Sequence, residues 1–256
     1  MAENLTSENL PLWLQSESAI RFFAQEREAF GDIASLLCGQ MGVQLSLNAR
    51  SRYLEQLNLS SRFYVCQTES EIGGRVSEVE NQHEKGQGGN SILVDFDALP
   101  FDNNQFSVVI APQMNLFCHD THAALREIYR ITASDGFIAI SGINAFSLMG
   151  LQSKILPKKY PLLPTVSLGQ LKTWLSLLGC DIVSGKLFHY SAMQNHATYP
   201  KLSEKMENIG DRWLPMLAGG YWLIARKRVI GNVIRGSKSF KPRKNAKMSH
   251  QVAKRY

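Results

Sequence analysis

The chain holds 256 residues, 44% of them hydrophobic and 20% charged, a balance that excludes a wholly disordered chain and suits one α/β domain with additions. Its formal charge of +6 is uneven: residues 235–256 carry eight basic side chains and no acid, leaving the remainder at −2, with 20 basic against 22 acidic residues. Four scattered cysteines, Cys38, Cys66, Cys118 and Cys180, lack the paired spacing of a zinc site or disulfide framework, so no metal is expected and the thiols read as reduced.

In chain order, Met1 to Glu8 carries acids rather than the basic, apolar pattern of a secretion signal. Ser16 to Phe30 places Ile20, Phe23, Ala24 and Phe30 among charges, which predicts an amphipathic helix and an N-terminal helical extension over 1–30. A main domain over 31–230 follows. Ala34 to Cys38 reads as a short buried strand entering Gly39-Gln-Met-Gly42, with weak helical character at Arg50 to Leu57 and a second strand at Phe63 to Gln67. Residues 68–91 hold five glycines and five glutamates with few large apolar groups, too little to offset ordering entropy, and predict a flexible insertion.

Ile92-Leu-Val-Asp-Phe-Asp-Ala-Leu-Pro-Phe101 then reads as a buried strand whose far end carries Asp95 and Asp97, followed by a Pro-ended turn and a strand at Phe106 to Ile110. Acids at the carboxyl end of a strand in an open α/β sheet stand where ligands bind, or they cap the turn that follows; the pattern alone leaves both open. Thr121 to Ile131 spaces Ala124, Leu125, Ile128 and Ile131 along one helix face, with Thr121 as a candidate cap. Asp135-Gly136 ends that connection before a strand at Phe137 to Ser141, giving β-α-β. A proline-rich loop (157–164), a helix at Ser167 to Leu178 stopped by Gly179, and strands at Asp181 to Phe188 and Tyr221 to Ala225 complete the domain. The most apolar run, 215–225, is too short to span a bilayer, so no membrane span and a cytoplasmic location are expected. Residues 231–256 read as a basic disordered tail.

Asp95-x-Asp97-x-Leu-Pro-Phe101 with Asp102-Asn-x-x-Phe106-x-Val-Val-Ile110, then Leu125-Arg-Glu-Ile-Tyr-Arg130, Asp135-Gly136 and Ile140-Ser-Gly142, resembles the class I S-adenosylmethionine-dependent methyltransferases of the type 11 group. Ser141 to Asn144, Ser147 to Leu151 and Trp174 to Gly179 look like a proteobacterial subgroup of uncharacterised methyltransferase-like proteins. The resemblance implies a Rossmann-like α/β fold, with a seven-stranded, mostly parallel sheet, helices on both faces and an antiparallel last strand. It implies S-adenosylmethionine as cofactor. Asp95 would accept from the adenine amino group, the Phe96 backbone N–H would reach a ring nitrogen, and Asp97 would be next in line. Gly39 and Gly42 would flank the methionine moiety, Gln67 would hold the ribose, and Pro112, Gln113 and Asn115 would line the transfer site. For Phe96 a plain core role, and for Asp97 a turn cap, stand as alternatives. The sequence departs from the family in two places: only two glycines in the first loop, and Gln67 where an acid is common.

Methyl transfer from a sulfonium rests on alignment, which supplies about 7–11 kcal/mol; a base is needed only where the nucleophile carries a proton. His119, His122 and His189 are candidate bases, and none is assigned as catalytic. Arg21 is a candidate partner for the cofactor carboxylate or an exposed helix residue. The leading expectation is a methyltransferase acting on a small-molecule acceptor. A second is a non-catalytic protein that keeps the fold. A third is an RNA-associated protein working through its basic tail; the near-neutral body favours it least.

Overall fold

The structure, a computed structural model, describes residues 13–14, 16–46, 52–66, 91–93, 96, 98–116, 118, 120–156, 163–190 and 215–228. The expected insertion at 68–91, except Ser91, and the tail at 231–256, together with Gln67, Asp95, Asp97 and His119, lie outside the described residues.

The first helix, α1 (Glu17–Ala34), starts at Ser16, whose hydroxyl accepts from the Ala19 N–H. Its buried face carries Phe22, Glu26, Ala29, Phe30 and Ile33 at helical spacing. The helix continues through the expected boundary at residue 30 and absorbs the start of the expected strand at Ala34 to Cys38. That apolar run extends the helix face: Leu36 and Leu37 return their N–H groups to Ile33 and Ala34 in a closing turn. The first strand is instead β1 (Met41–Ser46). A 3-10 turn, Tyr53–Gln56, replaces the weak helix expected there, and β2 (Ser61–Cys66) follows.

Next come β3 (Ser91–Leu93), β4 (Phe106–Ala111), α2 (Thr121–Ile131) and β5 (Thr132–Ile143). Asp120, rather than Thr121, caps α2, its carboxylate accepting from the N–H groups of His122 and Ala123. Asp135-Gly136 does not separate helix from strand. β5 begins at Thr132 beside Phe106 and resumes pairing at Phe137 beside Val108, so the two residues sit in an irregularity where Asp135 takes φ +62°. The remaining elements are α3 (Leu148–Ile155), α4 (Leu168–Leu177), β6 (Cys180–Phe188) and β7 (Gly220–Lys227). Ser167 and Gln170 form a capping box on α4, and Gly179, at φ +86°, turns the chain into β6.

The strands align as β3-β2-β1-β4-β5-β7-β6. Those from β3 to β5 are parallel, and β7 runs antiparallel to both β5 and β6. Six strands have six or more residues, and β3 is a three-residue edge. The sheet is therefore mixed and mostly parallel, with an antiparallel end. Alternation along β7 shows how its two faces are covered. Trp222 and Ile224 join the α1 cluster with Phe22 and Phe30; Tyr221, Leu223 and Ala225 join the cluster with Leu125 and Ile128 of α2 and Leu171 of α4.

Candidate functional site

β1 leads to β2 and β3 on one side of the sheet, and its neighbour β4 leads to β5 on the other. The order reverses between β1 and β4, and ligands of open α/β sheets bind at the carboxyl ends of strands where that happens. Here that edge is formed by Ser46, which ends β1, and by Pro112 and Gln113 after the last residue of β4, Ala111.

A buried polar cluster fills the β4 side of this edge. Gln113 is 3% exposed and adopts φ +50°. Its backbone N–H donates to the Ser141 hydroxyl (2.8 Å) and its side-chain amide donates to Glu26 Oε1 (2.8 Å). Ser141 and Tyr53 also donate their hydroxyls to the Glu26 carboxylate. Trp222 Nε1 donates to the Glu26 backbone carbonyl at 2.9 Å, and Phe30, Tyr53 and Trp222 pack against one another with ring centroids 4.9–5.2 Å apart. Burial pushes the Glu26 carboxyl up to about 7 despite its three donors, because the low-dielectric surroundings disfavour the charge more than the hydrogen bonds favour it. Burial likewise pushes the Tyr53 phenol far above its usual range. Gln113 Oε1 is buried and receives no donor among the described residues.

Of the residues expected from sequence, Pro112, Gln113 and Asn115 come together at this edge, all buried. Asn115 hydrogen-bonds Tyr221, whose hydroxyl donates to the Val166 carbonyl. Phe96 is 2% exposed and sits in the cluster of Leu45, Ala111 and Met114, so its ring is core rather than a cover for an adenine face. Its backbone N–H remains a candidate.

Gly39 and Gly42 stand elsewhere. They lie before β1 and at its second residue, at the amino end of the strand, away from the ligand edge. A Cβ on Gly42 would meet Leu59 Cδ1 at 2.5 Å and Leu54 Cδ2 at 2.9 Å; one on Gly39 would meet Ser107 Cβ at 2.3 Å. Both glycines admit the chain's own side chains, not a ligand. The expectation failed because the strand, expected from Ala34, begins at Met41. The true exit from β1, residues 47–51, contains no glycine.

His122 is exposed at the start of α2 with its ring 4.2 Å from Trp174. His189 is buried beyond β6, where its Nδ1 meets Gln25 Oε1 at 2.7 Å. Arg21 pairs at the surface with Glu17 (3.4 Å). Free thiols occur at Cys38, Cys118 and Cys180, and the described residues contain no cluster of three potential metal ligands.

Sequence reasoning passed over Glu26, Tyr53 and Ser141. The signal was present: a glutamate on the apolar face of an amphipathic helix, four residues after Phe22 and four before Phe30. It also passed over Glu127 and Arg130, quoted above only for the family likeness. Arg130 donates to the carbonyls of Leu99 (2.9 Å) and Phe101 (2.7 Å), while Glu127 accepts from the Leu99 N–H (3.0 Å) and pairs with Arg130 at 2.8 Å. Together they fasten to α2 the turn that follows the two acids.

The strand order and the polar edge at the reversal point define an α/β fold of the methyltransferase type. Solved structures agree on that fold. A chain of the complex between the Haloferax volcanii Trm112 methyltransferase activator and its candidate methyltransferase aligns with TM-score 0.55 at 15% identity, covering 82% of this chain and 91% of the other. An S-adenosylmethionine-dependent methyltransferase from Mesorhizobium loti aligns with TM-score 0.53 at 13% identity, covering 78% and 96%. The [4+2]-cyclase SpnF aligns with TM-score 0.52 at 18% identity, covering 80% of each chain. Residues 51–140 match the family described as Methyltransferase domain. The match begins beyond β1. A curated relative, the uncharacterised protein YafS of Escherichia coli strain K12, is 31% identical over 167 residues, covering 63% of this chain and 65% of the relative's length.

Proposed function

We propose that the protein is an S-adenosylmethionine-dependent methyltransferase acting on a small-molecule acceptor. The observation that carries this reading is the buried polar edge at the reversal between β1 and β4, where the amide oxygen of Gln113 faces no donor among the described residues. An unpaired buried acceptor costs stability unless something donates to it, and a ligand bearing a hydroxyl or ammonium does so. The sequence resemblance would assign the adenosine half of the cofactor to Asp95, as acceptor from the adenine amino group, to the Phe96 N–H at the ring, and to Asp97 and Gln67 for its hydroxyls. When bound, S-adenosylmethionine supplies a methyl group already activated by its sulfonium. The task left to Pro112, Gln113 and Asn115 is to orient the acceptor and exclude water from it.

A second reading has its own support. The exit from β1 has no glycine, and the β1–β2 connection holds a 3-10 turn among its described residues. A protein that keeps the fold and has lost the methionine-side cradle fits those features. That the [4+2]-cyclase SpnF shares the fold is a reminder that the fold alone does not fix the chemistry.

Calorimetric titration with S-adenosylmethionine and its demethylated product, on the intact chain and on Asp95→Ala, separates the readings. Micromolar binding that weakens by at least about tenfold in the variant supports the methyltransferase, the size of effect given by losing one hydrogen bond to a charged group. Neither heat nor a thermal shift at millimolar ligand favours the non-catalytic reading.

A further inference from the structure

α3 is amphipathic in the reverse sense. It turns Met149, Gly150 and Ser153 inward and points Leu151 and Ile155 to solvent, 49% and 64% exposed. The inward face is fitted to small residues: a Cβ on Gly150 would meet the Asn144 carbonyl at 2.6 Å, and the Ser153 hydroxyl accepts from the Leu163 N–H at 2.6 Å. The orientation of the helix is therefore fixed by packing, with its large apolar side chains outside.

The neighbouring surface continues the pattern. Asn144 donates to the carbonyls of Met216 (2.9 Å) and Ala218 (3.1 Å) and accepts from the Phe146 N–H, which ties the start of α3 to the turn at 215–217. Phe146, Met216 and Leu217 are 65%, 76% and 43% exposed. Scattered exposed apolar residues are ordinary; several large ones on two elements tied together by hydrogen bonds are not.

Charge selects the occupant. Lys154 lies on α3 between Leu151 and Ile155 and is exposed. From Gly136 to Cys180 the sequence has four lysines and no acid, and from Arg212 to Tyr256 it has twelve basic residues and no acid. Two copies meeting on this face would each bring Lys154 among the apolar side chains, like charge toward like, which disfavours a symmetric dimer. Apolar side chains beside lysines match the boundary of an anionic bilayer, where the former enter the acyl region and the latter meet the headgroups. Among the described residues no helix is long and apolar enough to cross a membrane, so the contact is peripheral.

We infer that the face formed by α3 and the 215–217 turn docks on an anionic lipid bilayer. The inference does not depend on cofactor binding. It places the patch beside the carboxyl end of β5, on the same edge of the sheet as Gln113.

The test is cosedimentation of the full-length chain with vesicles of phosphatidylcholine alone or mixed with equal phosphatidylglycerol. It is repeated for the double variant Leu151→Ser/Ile155→Ser and for Lys154→Glu. Far-UV circular dichroism and thermal melting confirm that the variants fold, which exposed positions should permit. The expected result is binding to the anionic vesicles only, weakened about tenfold or more in the double variant and clearly in Lys154→Glu. Three results overturn the inference: no binding by the intact chain, unchanged binding by the folded double variant, or a dimer that the double variant dissociates while vesicle binding persists. Unchanged binding would assign lipid attraction to the basic tail alone.

Discussion

Glu26 has an ordinary carboxyl value of 4.5 in the unfolded chain and about 7 in the fold. Below pH 4.5 the group is protonated in both states, and its contribution to stability is fully present. Between the two values the unfolded chain ionises while the folded protein holds its proton, so stability falls as pH rises and levels off above about pH 7. The full loss is on the order of 3 kcal/mol. Carboxylates held low by their partners, such as Glu127 beside Arg130, slope the opposite way, so the comparison must be with a variant. In Glu26→Gln this slope should vanish, giving a variant that gains on the wild type between pH 4.5 and 7 in chemical denaturation. The substitution is expected to fold because Gln113 can rotate its amide and offer the spare oxygen to the new donor.

The clasp between α2 and the turn at Leu99 to Phe101 works at the scale of an element. One guanidinium serves two carbonyls and the Asn103 side chain, and Glu127 orients it. Arg130→Ala is expected to cost about 2–3 kcal/mol in denaturant unfolding and to weaken S-adenosylmethionine binding by freeing the turn after Asp95 and Asp97. Arg130→Lys should restore little, since a single ammonium cannot span both carbonyls as the planar fork does. The elements were unevenly legible. The α2 stripe and the apolar strands β4 and β7 could be read directly, because burial on one or both faces leaves an unbroken pattern. β1 could not: Gly42 and Gln44 interrupt it. Gln44 is tolerated in the core because its amide accepts the Tyr53 N–H at 2.8 Å, a partner nine residues away. The run before it, Ala34 to Leu37, carries the stronger apolar signal and belongs to a helix end. The same displacement moved the glycines to the wrong end of the strand. α3 escaped notice because its outward Leu151 and Ile155 contradict the rule that apolar residues mark the inner face.

Over the whole molecule, the sheet is assembled out of chain order at its antiparallel end. β7, whose residues are buried at every position but Arg226, lies between β5 and β6 and pairs with both along nearly its full length. Among the described residues it is the last strand to appear in the sequence. Until residues 220–227 leave the ribosome, β5 and β6 have no common neighbour, and the largely apolar β5 offers an unpaired edge to other chains. A chain ended at residue 219 is therefore expected in the insoluble fraction on expression, with the intact chain soluble under the same conditions. The N-terminal helix shares that wait, because Phe22 and Phe30 pack on a cluster that Trp222 and Ile224 complete. A strand made late in synthesis thus closes the core, and the nascent chain depends on protection from aggregation until it emerges.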